Sequence, residues 1–335
     1  MKRIIPILLM IVMLSIFGAC GKKKDTDIVK SLGEKIDKLE IYEVDAVMDI
    51  KEMNKSHLFD VNIKYLKPDL YKVTLKNRDS NNVQIVLKNK EGVFVLTPAL
   101  NKSFKFQSDW PLNSSQPYLY QSIVKDIVND KNTIVTKHNN EYEINTKVNY
   151  RRSKELNTQK IIIDEKTLFP KEIKVLDASN NEKIIVKFNE VKYKPKFNEN
   201  EFKLEYSMNH AKETHQGNLP TFENRTIMYP TSILDGMKIK EETIKDIDTG
   251  KRAIMTFEGS APFTVVEEYL SVAEVFSASE LIYGDPVLIC SGIAFQTDNS
   301  LTWHQNGIEF FIISEVLTPD QMYLLANSFL VQAEK

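Results

Sequence analysis

The sequence has 335 residues, a formal net charge of -2 at neutral pH and a hydrophobic share of 42%. At about 150 residues per domain, this length predicts two domains, and the hydrophobic share favours packed cores over a disordered chain. A charge so close to zero gives no reason to expect nucleic acid as a partner, because nucleic-acid-binding proteins concentrate positive charge.

The N-terminal segment has the pattern of a signal peptide. Lys2 and Arg3 precede an uncharged, almost entirely apolar run from Ile4 to Phe17. A membrane-spanning helix needs about 20 apolar residues, so this run is shorter than a typical span. It has the length of the hydrophobic region of a signal peptide, and small residues follow it.

A cysteine comes directly after those small residues. The sequence Phe17-Gly18-Ala19-Cys20 resembles a lipobox, the recognition site of the lipoprotein signal peptidase, although leucine is usual at the position of Phe17. The resemblance predicts recognition of Phe17, Gly18 and Ala19, removal of residues 1–19, and attachment of lipid to the Cys20 thiol. The alternative is an ordinary secretory signal in which Cys20 is incidental.

A lipid on Cys20 would determine where the protein acts. Two acyl chains hold a protein on a membrane almost permanently, so we expect a lipid-anchored protein on the extracytoplasmic face of the cell membrane, with residues 20–24 as a tether. Cys290 is then the only remaining thiol, which excludes a disulfide or a Cys/Cys metal site within one chain. Its apolar neighbours predict a buried side chain.

A helix and a long series of strands follow. Ile28, Leu32, Ile36 and Leu39 fall at helical spacing and predict an amphipathic helix from Asp25 to Leu39. Alternation of apolar and polar residues predicts strands at Phe59–Tyr65, Tyr71–Leu75, Val83–Leu87, Val93–Leu96, Tyr142–Val148, Lys160–Ile163, Ile173–Leu176 and Ile184–Tyr193. Their regular spacing favours one large antiparallel sheet or barrel, with one face of each strand polar enough to meet water.

One helical segment interrupts this series of strands. Leu119, Ile123 and Ile127 fall at helical spacing, after a cluster from Asn113 to Ser115 that has the composition of a helix N-cap. We expect this helix to cover the open side of a curved sheet.

The composition becomes polar near residue 206. Residues 206–224 include His210, His215, Gly217 and Pro220, which predicts a linker. A second, smaller unit is predicted over residues 225–335.

The second unit has its own strand and helix signals. Strands are predicted at Ala253–Phe257, Val287–Cys290 and Ile308–Ile313, with an apolar segment at Val265–Phe276. A final helix is predicted after Leu317, because Thr318, Pro319 and Gln321 fit an N-cap, a proline at N1 and a capping-box glutamine at N3.

The patterns of common catalytic and metal sites are missing from the sequence. It has no HExxH, no GxSxG, no phosphate-binding loop and no GxGxxG. His210 and His215 fit a solvated pair better than a metal site. We therefore predict no catalytic residue, no metal ligand and no cofactor, and we leave the ligand-binding residues unassigned.

Two further sets of residues favour structural roles. Neighbouring acids such as Glu267 and Glu268 would face opposite sides of a strand, which argues against a catalytic carboxylate pair. Trp110 and Trp303 fit core packing better than anchors on a binding surface, which is the alternative.

Residues 25–205 resemble the LolA family of lipoprotein carriers. The resemblance rests on the order of an N-terminal helix, the turn within Tyr65–Val73, the segments Leu168–Ile173 and Phe188–Val191, and the closing stretch Asn198–Phe202. It implies an α+β fold in which an unclosed antiparallel β-barrel carries helices on its concave side. In the LolA family that side holds acyl chains.

Residues 225–335 resemble a small C-terminal α+β domain of unknown function, found in lipoproteins and anti-sigma factors of spore-forming Gram-positive bacteria. The matching stretches are Tyr229–Thr231, Gly250–Arg252, Leu301–Trp303 and Leu317–Phe329. The pair of domains looks like lipoproteins of sporulation and germination such as GerS, which binds and activates a cortex amidase.

These resemblances imply a membrane-anchored, non-catalytic lipoprotein of the cell envelope, acting in sporulation or germination. Its expected partners are the membrane, through the lipid anchor, and either lipid acyl chains or an envelope protein such as a cell-wall amidase. One alternative is an envelope signalling regulator that acts with an anti-sigma factor. Others are a lipoprotein or lipid carrier and an envelope hydrolase with an unrecognised site.

Overall fold

The computed structural model describes residues 25–329 with several internal gaps. The gaps are residues 53–54, 108, 112–113, 152, 198, 215–226, 249, 271, 274–275 and 277. In this part of the chain, α-helices and two β-sheets surround buried apolar clusters. The α-helices are α1 (Asp25–Lys38), α2 (Tyr120–Asn129), α3 (Leu204–Thr214) and α4 (Pro319–Ser328).

The first sheet has twelve strands in the described part of the chain. They are β1 (Ile41–Glu52), β2 (Lys55–Leu66), β3 (Leu70–Asn77), β4 (Val83–Asn89), β5 (Gly92–Thr97), β6 (Lys102–Phe106), β7 (Ile134–His138), β8 (Glu141–Lys147), β9 (Leu156–Asp164), β10 (Pro170–Asp177), β11 (Glu182–Phe188) and β15 (Glu280–Ile282).

These strands form one open sheet. Their order is β15-β6-β5-β4-β3-β2-β1-β11-β10-β9-β8-β7, and every pair is antiparallel except β15 with β6. The end strands β15 and β7 do not pair with each other, so the sheet is not closed. The predicted α+β fold with an unclosed antiparallel sheet is confirmed.

One face of this sheet, here called the inner face, buries the alternating apolar residues. On β2, Phe59, Val61, Ile63 and Tyr65 are buried there, as the alternation predicts. Helices α1 and α2 cover this face, and their own buried residues join the same cluster. These two helices therefore lie on the inner face of the sheet, as predicted.

The opposite face of the sheet is partly covered too. Ile85 and Leu87 of β4 and Phe94 of β5 point away from the inner face and pack with Met208 of α3. The expectation that one face of each strand meets water is therefore wrong for β4 and β5, whose central residues are buried on both faces. Their nearly continuous apolar sequence fits burial on both sides.

Helix α3 also occupies the start of the predicted linker. Residues 206–214 are helical, and residues 215–224 of that range lie outside the described residues. Most residues of this helix are polar. Only Ser207, Met208 and Ala211 are buried. So few buried residues make the sequence of this helix resemble that of a polar linker.

The N-terminus of α2 differs from the prediction. Its N-cap residue is Leu119, whose side chain makes no capping hydrogen bond. The Ser115 hydroxyl instead accepts a hydrogen bond from the Asn149 N–H at 2.6 Å, and the Ser114 hydroxyl accepts one from the Arg151 N–H at 3.3 Å. The serines therefore hold the loop that precedes β9, and Asn113 lies outside the described residues.

The second sheet has seven strands in the described part of the chain, in the order β12-β13-β14-β19-β18-β17-β16. They are β12 (Lys238–Ile247), β13 (Gly250–Glu258), β14 (Phe263–Tyr269), β16 (Asp285–Ile289), β17 (Gly292–Gln296), β18 (Ser300–Gln305) and β19 (Ile308–Ile313). Helix α4 covers one face through Met322, Leu325 and Phe329.

The start of α4 is as the sequence predicts. The Thr318 hydroxyl accepts a hydrogen bond from the Gln321 N–H at 3.3 Å, and the Gln321 side chain accepts one from the Thr318 N–H at 2.9 Å. Pro319 occupies the first turn. The predicted capping box is confirmed.

Candidate functional site

The predicted lipid-attachment residue Cys20 and the peptidase-recognition residues Phe17, Gly18 and Ala19 lie outside the described residues. Their roles stay predictions. Among the residues that the structure describes, no helix is both long enough and apolar enough to cross a membrane.

The residues for which the sequence favours structural roles have those roles in the structure. Cys290 is a free thiol with no exposed surface. Trp110 and Trp303 are buried, and Trp303 stacks on Phe310 at 4.7 Å between ring centroids. These three predictions of burial are confirmed.

The neighbouring acids of β14 do face opposite ways. Glu267 is 4% exposed on the core side of the second sheet, and it accepts a hydrogen bond from the Met228 N–H at 3.0 Å. Glu268 forms an ion pair with Arg252 on the other side at 2.5 Å. Burial raises the pKa of Glu267 to about 8, helped by the charge of Glu242 and opposed by the hydrogen bond from Met228.

The two sheets meet in a closed apolar region, here called the apolar junction. Phe295 of β17 packs on Phe104 and Phe106 of β6, with ring centroids 5.4 Å and 4.9 Å apart. His304 of β18 stacks on Phe104 at 4.8 Å and forms a hydrogen bond with the Glu309 carboxylate at 2.8 Å. Part of the inner face is thus covered by the second sheet.

Buried hydrogen bonds fix this contact. The Gln84 side chain accepts a hydrogen bond from the Ile293 N–H at 2.7 Å and donates one to the Ile293 carbonyl at 3.4 Å. Gly292 has a φ of +141°, and a Cβ there would lie 2.1 Å from the Gln84 side-chain oxygen. Only glycine gives both this conformation and this close approach without strain.

A cavity lies elsewhere between the two sheets, and we call it the inter-sheet cavity. Its volume is about 90 Å³, which is well below the roughly 300–1,000 Å³ of typical small-molecule sites. Its walls come from the ends of β1, β9 and β11, the loops at 114–117 and 150–155, strand β16, and the first turns of α4.

The walls of the inter-sheet cavity combine apolar side chains with charges. Leu156 and Ile184 line it from the first sheet, and Val287, Leu288 and Tyr323 line it from the second unit. The charged lining residues that the structure describes are the carboxylates of Glu52, Glu155, Asp285 and Asp320 and the cations Arg151 and Lys183. Among these described residues, carboxylates outnumber cations by two.

Contacts within the wall fix several of these charges. Arg151 is 3.5 Å from Asp285, which links the loop before β9 to β16. The Asp320 carboxylate accepts a hydrogen bond from the Lys154 N–H at 2.9 Å. Partial burial and the charges of Asp320 and Glu52 raise the pKa of Glu155, while Lys183 opposes the rise.

Two tyrosines add unusual polar groups to the wall. The Tyr150 hydroxyl is buried and has no hydrogen-bond partner in the described part of the chain. Burial raises the pKa of both Tyr150 and Tyr323 well above the ordinary value.

No pattern in the sequence indicates this site. Glu52, Glu155 and Asp320 are far apart along the chain, and no spacing pattern connects them. Glu52 and Glu155 both come from the first unit, and Asp320 reaches the same cavity because the second unit packs against it. Across the described ranges, no group of three or more histidine, cysteine, aspartate or glutamate side chains is arranged to hold a metal ion.

The family of the chain follows from comparison with known proteins. The family model described as "Sporulation protein YdcC-like" matches residues 1–202. The chain belongs to this family. Sporulation protein YdcC of Bacillus subtilis (strain 168) is 35% identical over 322 residues, which is 96% of this chain and 94% of that protein. The predicted relationship to proteins of sporulation is confirmed.

Solved structures show more distant similarity. A chain in the complex structure of Pseudomonas aeruginosa MucA/MucB is 12% identical, with 92% of this chain and 100% of that chain covered and a TM-score of 0.34. The LolA superfamily protein NE2245 from Nitrosomonas europaea is 11% identical, with 53% of this chain and 98% of that chain covered and a TM-score of 0.32. Neither similarity is strong enough to support an argument about function.

Proposed function

We propose that this protein is a non-catalytic, lipid-anchored component of the envelope of the sporulating cell, and that it acts by binding another protein in the inter-sheet cavity. Membership of a sporulation protein family supports the cellular process. The cavity is the observation that carries the mode of action, because apolar side chains and several charged groups converge on it, as they do in binding sites.

The filling of the inner face favours a protein partner over lipid. Acyl chains need an open apolar surface, and helices α1 and α2 together with Phe295 and Ile293 bury this face. A lipid carrier would have to displace these elements from their own core. This is the physical reason to place the lipid-carrier alternative second.

The anchor is part of the proposal. Lipid on Cys20 would hold the protein at the extracytoplasmic surface of the membrane. We expect Cys20→Ala to abolish labelling by palmitate and to release the protein from the membrane fraction. Palmitate labelling that persists in this variant would contradict the proposed anchor. It would not affect the proposal that the inter-sheet cavity binds a partner.

The binding function is tested by filling the cavity. Val287→Trp and Ser153→Phe add bulk to opposite walls, while Ile134→Trp adds similar bulk on the exposed edge strand β7. Each full-length variant would replace the wild-type gene in a sporulating host, with yield of mature spores as the readout. We expect both cavity variants to lower the yield and the control to keep it.

Protein level and crosslinking complete this test. Immunoblots show whether each variant accumulates, and crosslinking in sporulating cells reports on the partner complex. Normal spore yield from a well-accumulated Val287→Trp variant with an intact crosslinked complex would overturn the proposed function.

A further inference from the structure

Strand β12 is an outer strand of the second sheet that contributes very little to the core. It has ten residues, Lys238–Ile247, and none of their side chains is buried. Thr243 and Ile247 are half-buried, while Ile239 and Ile244 are 41% and 49% exposed. Ordering a strand costs conformational entropy, which burial of apolar side chains normally offsets. A partner on β12 would therefore supply burial that the single chain lacks.

The outer edge of β12 is free within the described part of the chain. The strand pairs with β13 on one side and stands at the end of the strand order of the second sheet. It contains no proline, so each of its residues has an N–H. The N–H and C=O groups that point outward can form a ladder with a further strand. Such an edge binds an added strand through backbone hydrogen bonds.

The charges along β12 indicate that a second copy of the same strand fits this edge. A symmetric antiparallel pair centred on Thr243 places Glu241 of each copy opposite Lys245 of the other. One position further out, Lys240 of each copy comes close to Asp246 of the other. Among the described residues, none of these four charged side chains has an ion-pair partner within its own chain.

Neighbouring registers of the same pair are unfavourable. A two-fold pair that keeps both faces of the sheet continuous can shift only in steps that move its centre by one residue. A centre one residue earlier puts Glu242 opposite its own copy, and a centre one residue later puts Glu242 opposite Asp246. Like charges opposite each other destabilise a strand pair. The bulge of β12, between Ile239 and Glu241, lies outside the central segment from Glu241 to Lys245.

We propose that the protein forms a two-fold dimer in which β12 of one copy pairs antiparallel with β12 of the other, centred on Thr243 and with Glu241 opposite Lys245. The second sheets of the two copies then join into one continuous sheet. The dimer rests on neither the lipid anchor nor the inter-sheet cavity, which β12 does not line. It weakens as salt concentration rises, because its ion pairs are exposed to solvent.

Complementary charge variants test this register. Glu241→Lys places lysines opposite each other at two symmetric positions, and Lys245→Glu places glutamates there. Each variant should dimerise at least about 10-fold more weakly than the wild type. Sedimentation velocity of the detergent-solubilised full chain over a range of concentrations measures the dissociation constant. Glu315→Lys makes the same charge change at an exposed position outside β12 and should keep the wild-type value.

Mixing the two variants separates the proposed pairing from a general effect of charge. In a mixed pair, the new lysine of one chain faces the new glutamate of the other, and the unchanged Lys245 of the first faces the unchanged Glu241 of the second. An equimolar mixture, with one variant tagged, should therefore form heterodimers about as tightly as the wild type forms homodimers. Circular dichroism of each variant checks that the fold is intact.

An interchain disulfide reports the register directly. Thr243→Cys places two thiols at directly opposite positions of the strand pair, where copper phenanthroline should oxidise them to a disulfide. Asp248→Cys is the control, because the antiparallel register puts its two copies roughly 30 Å apart. The control also accounts for the native cysteines, since both variants contain them.

Three results would overturn the dimer. The first is a wild-type chain that stays monomeric at every concentration tested. The second is a dimer that neither charge variant weakens and that Thr243→Cys does not crosslink, because its contact would then lie elsewhere. The third is a pair of weakened charge variants whose mixture stays as weak as each variant alone.

Discussion

The contact between the two sheets has two regions of opposite character. The apolar junction is closed, with Phe295 held between Phe104 and Phe106 and with Gln84 bonded to the backbone of β17. The inter-sheet cavity is open and acidic, and Glu52 and Glu155 line it. The first region determines how the sheets sit together, whereas the second keeps polar groups that contribute little to that packing. Under the proposed function, stability and binding thus depend on different residues of one interface.

The strongest test of this division is removal of the Phe295 ring. Truncation of a buried phenylalanine costs about 3–5 kcal/mol, so we expect Phe295→Ala to lower the free energy of unfolding by that amount. Urea denaturation followed by circular dichroism would measure it. Tyr283→Ala is the control, because Tyr283 is 68% exposed. A loss under 1 kcal/mol for Phe295→Ala would show that the apolar junction does not hold the sheets together.

Glu267 is a buried carboxylate that lies away from the contact between the two sheets, so it can be compared with the acids of the inter-sheet cavity. Glu267 lies in a closed core, and its pKa is raised to about 8. Between pH 4.5 and 8 the unfolded chain has released this proton while the folded chain keeps it, so stability falls as pH rises through this range. We expect Glu267→Gln to equal the wild type near pH 4 and to exceed its stability by about 1–3 kcal/mol at pH 8.

Urea midpoints at a series of pH values would measure this difference. Glu268→Gln on the same strand serves as its control, since Glu268 lies on the other face and pairs with Arg252. Parallel stability curves for the wild type and Glu267→Gln would mean that Glu267 titrates as in the unfolded chain.

The hydrogen bonds of Gln84 are predicted to have an intermediate effect. Gln84→Ala leaves the buried N–H and carbonyl of Ile293 without these partners. Such a loss costs about 1–3 kcal/mol, measurable as a shift in the urea midpoint. Gln107→Ala removes an exposed glutamine side chain and should change the midpoint very little. A Gln84→Ala variant as stable as this control would argue that water replaces the lost contacts.

The smallest effect is expected inside the cavity. Glu155 has a raised pKa, so its ionisation opposes folding as pH rises through the ordinary range of a glutamate. Because the side chain is exposed, solvent screening limits the gain from Glu155→Gln at pH 7 to a few tenths of a kcal/mol. Differential scanning calorimetry against Glu315→Gln would detect it. A destabilised Glu155→Gln variant would place Glu155 among the residues that stabilise the fold.

Much of the first sheet was predictable because its strands alternate cleanly. Phe59 to Tyr65 and Tyr71 to Leu75 show the period of two that half-buried strands require, and the structure has strands there. Strand β1 has the same alternation from Tyr42 to Ile50, although it is not among the predicted strands. The capping box of α4 was also readable, because it depends on residues three positions apart.

The relation between the sheets was not predictable in this way. Phe295 and Phe104 look like ordinary core residues of separate units, and nothing in either sequence segment says that they touch. Glu52, Glu155 and Asp320 look like surface acids for the same reason. Local sequence patterns determine helices and strands. The candidate site depends instead on contacts between residues that are more than 100 positions apart.

Strand β15 also has a consequence for the order in which the chain folds. It pairs with β6, and the hydroxyls of Ser103 and Ser279 meet across 176 positions of sequence. During synthesis, β6 therefore stays an unpaired edge until residues 280–282 have emerged from the ribosome. Unpaired edges recruit foreign strands, and long-range pairing is slow. A nascent chain stalled while β15 is still inside the ribosome would expose this edge, so its aggregation should exceed that of a chain stalled after β15 has emerged.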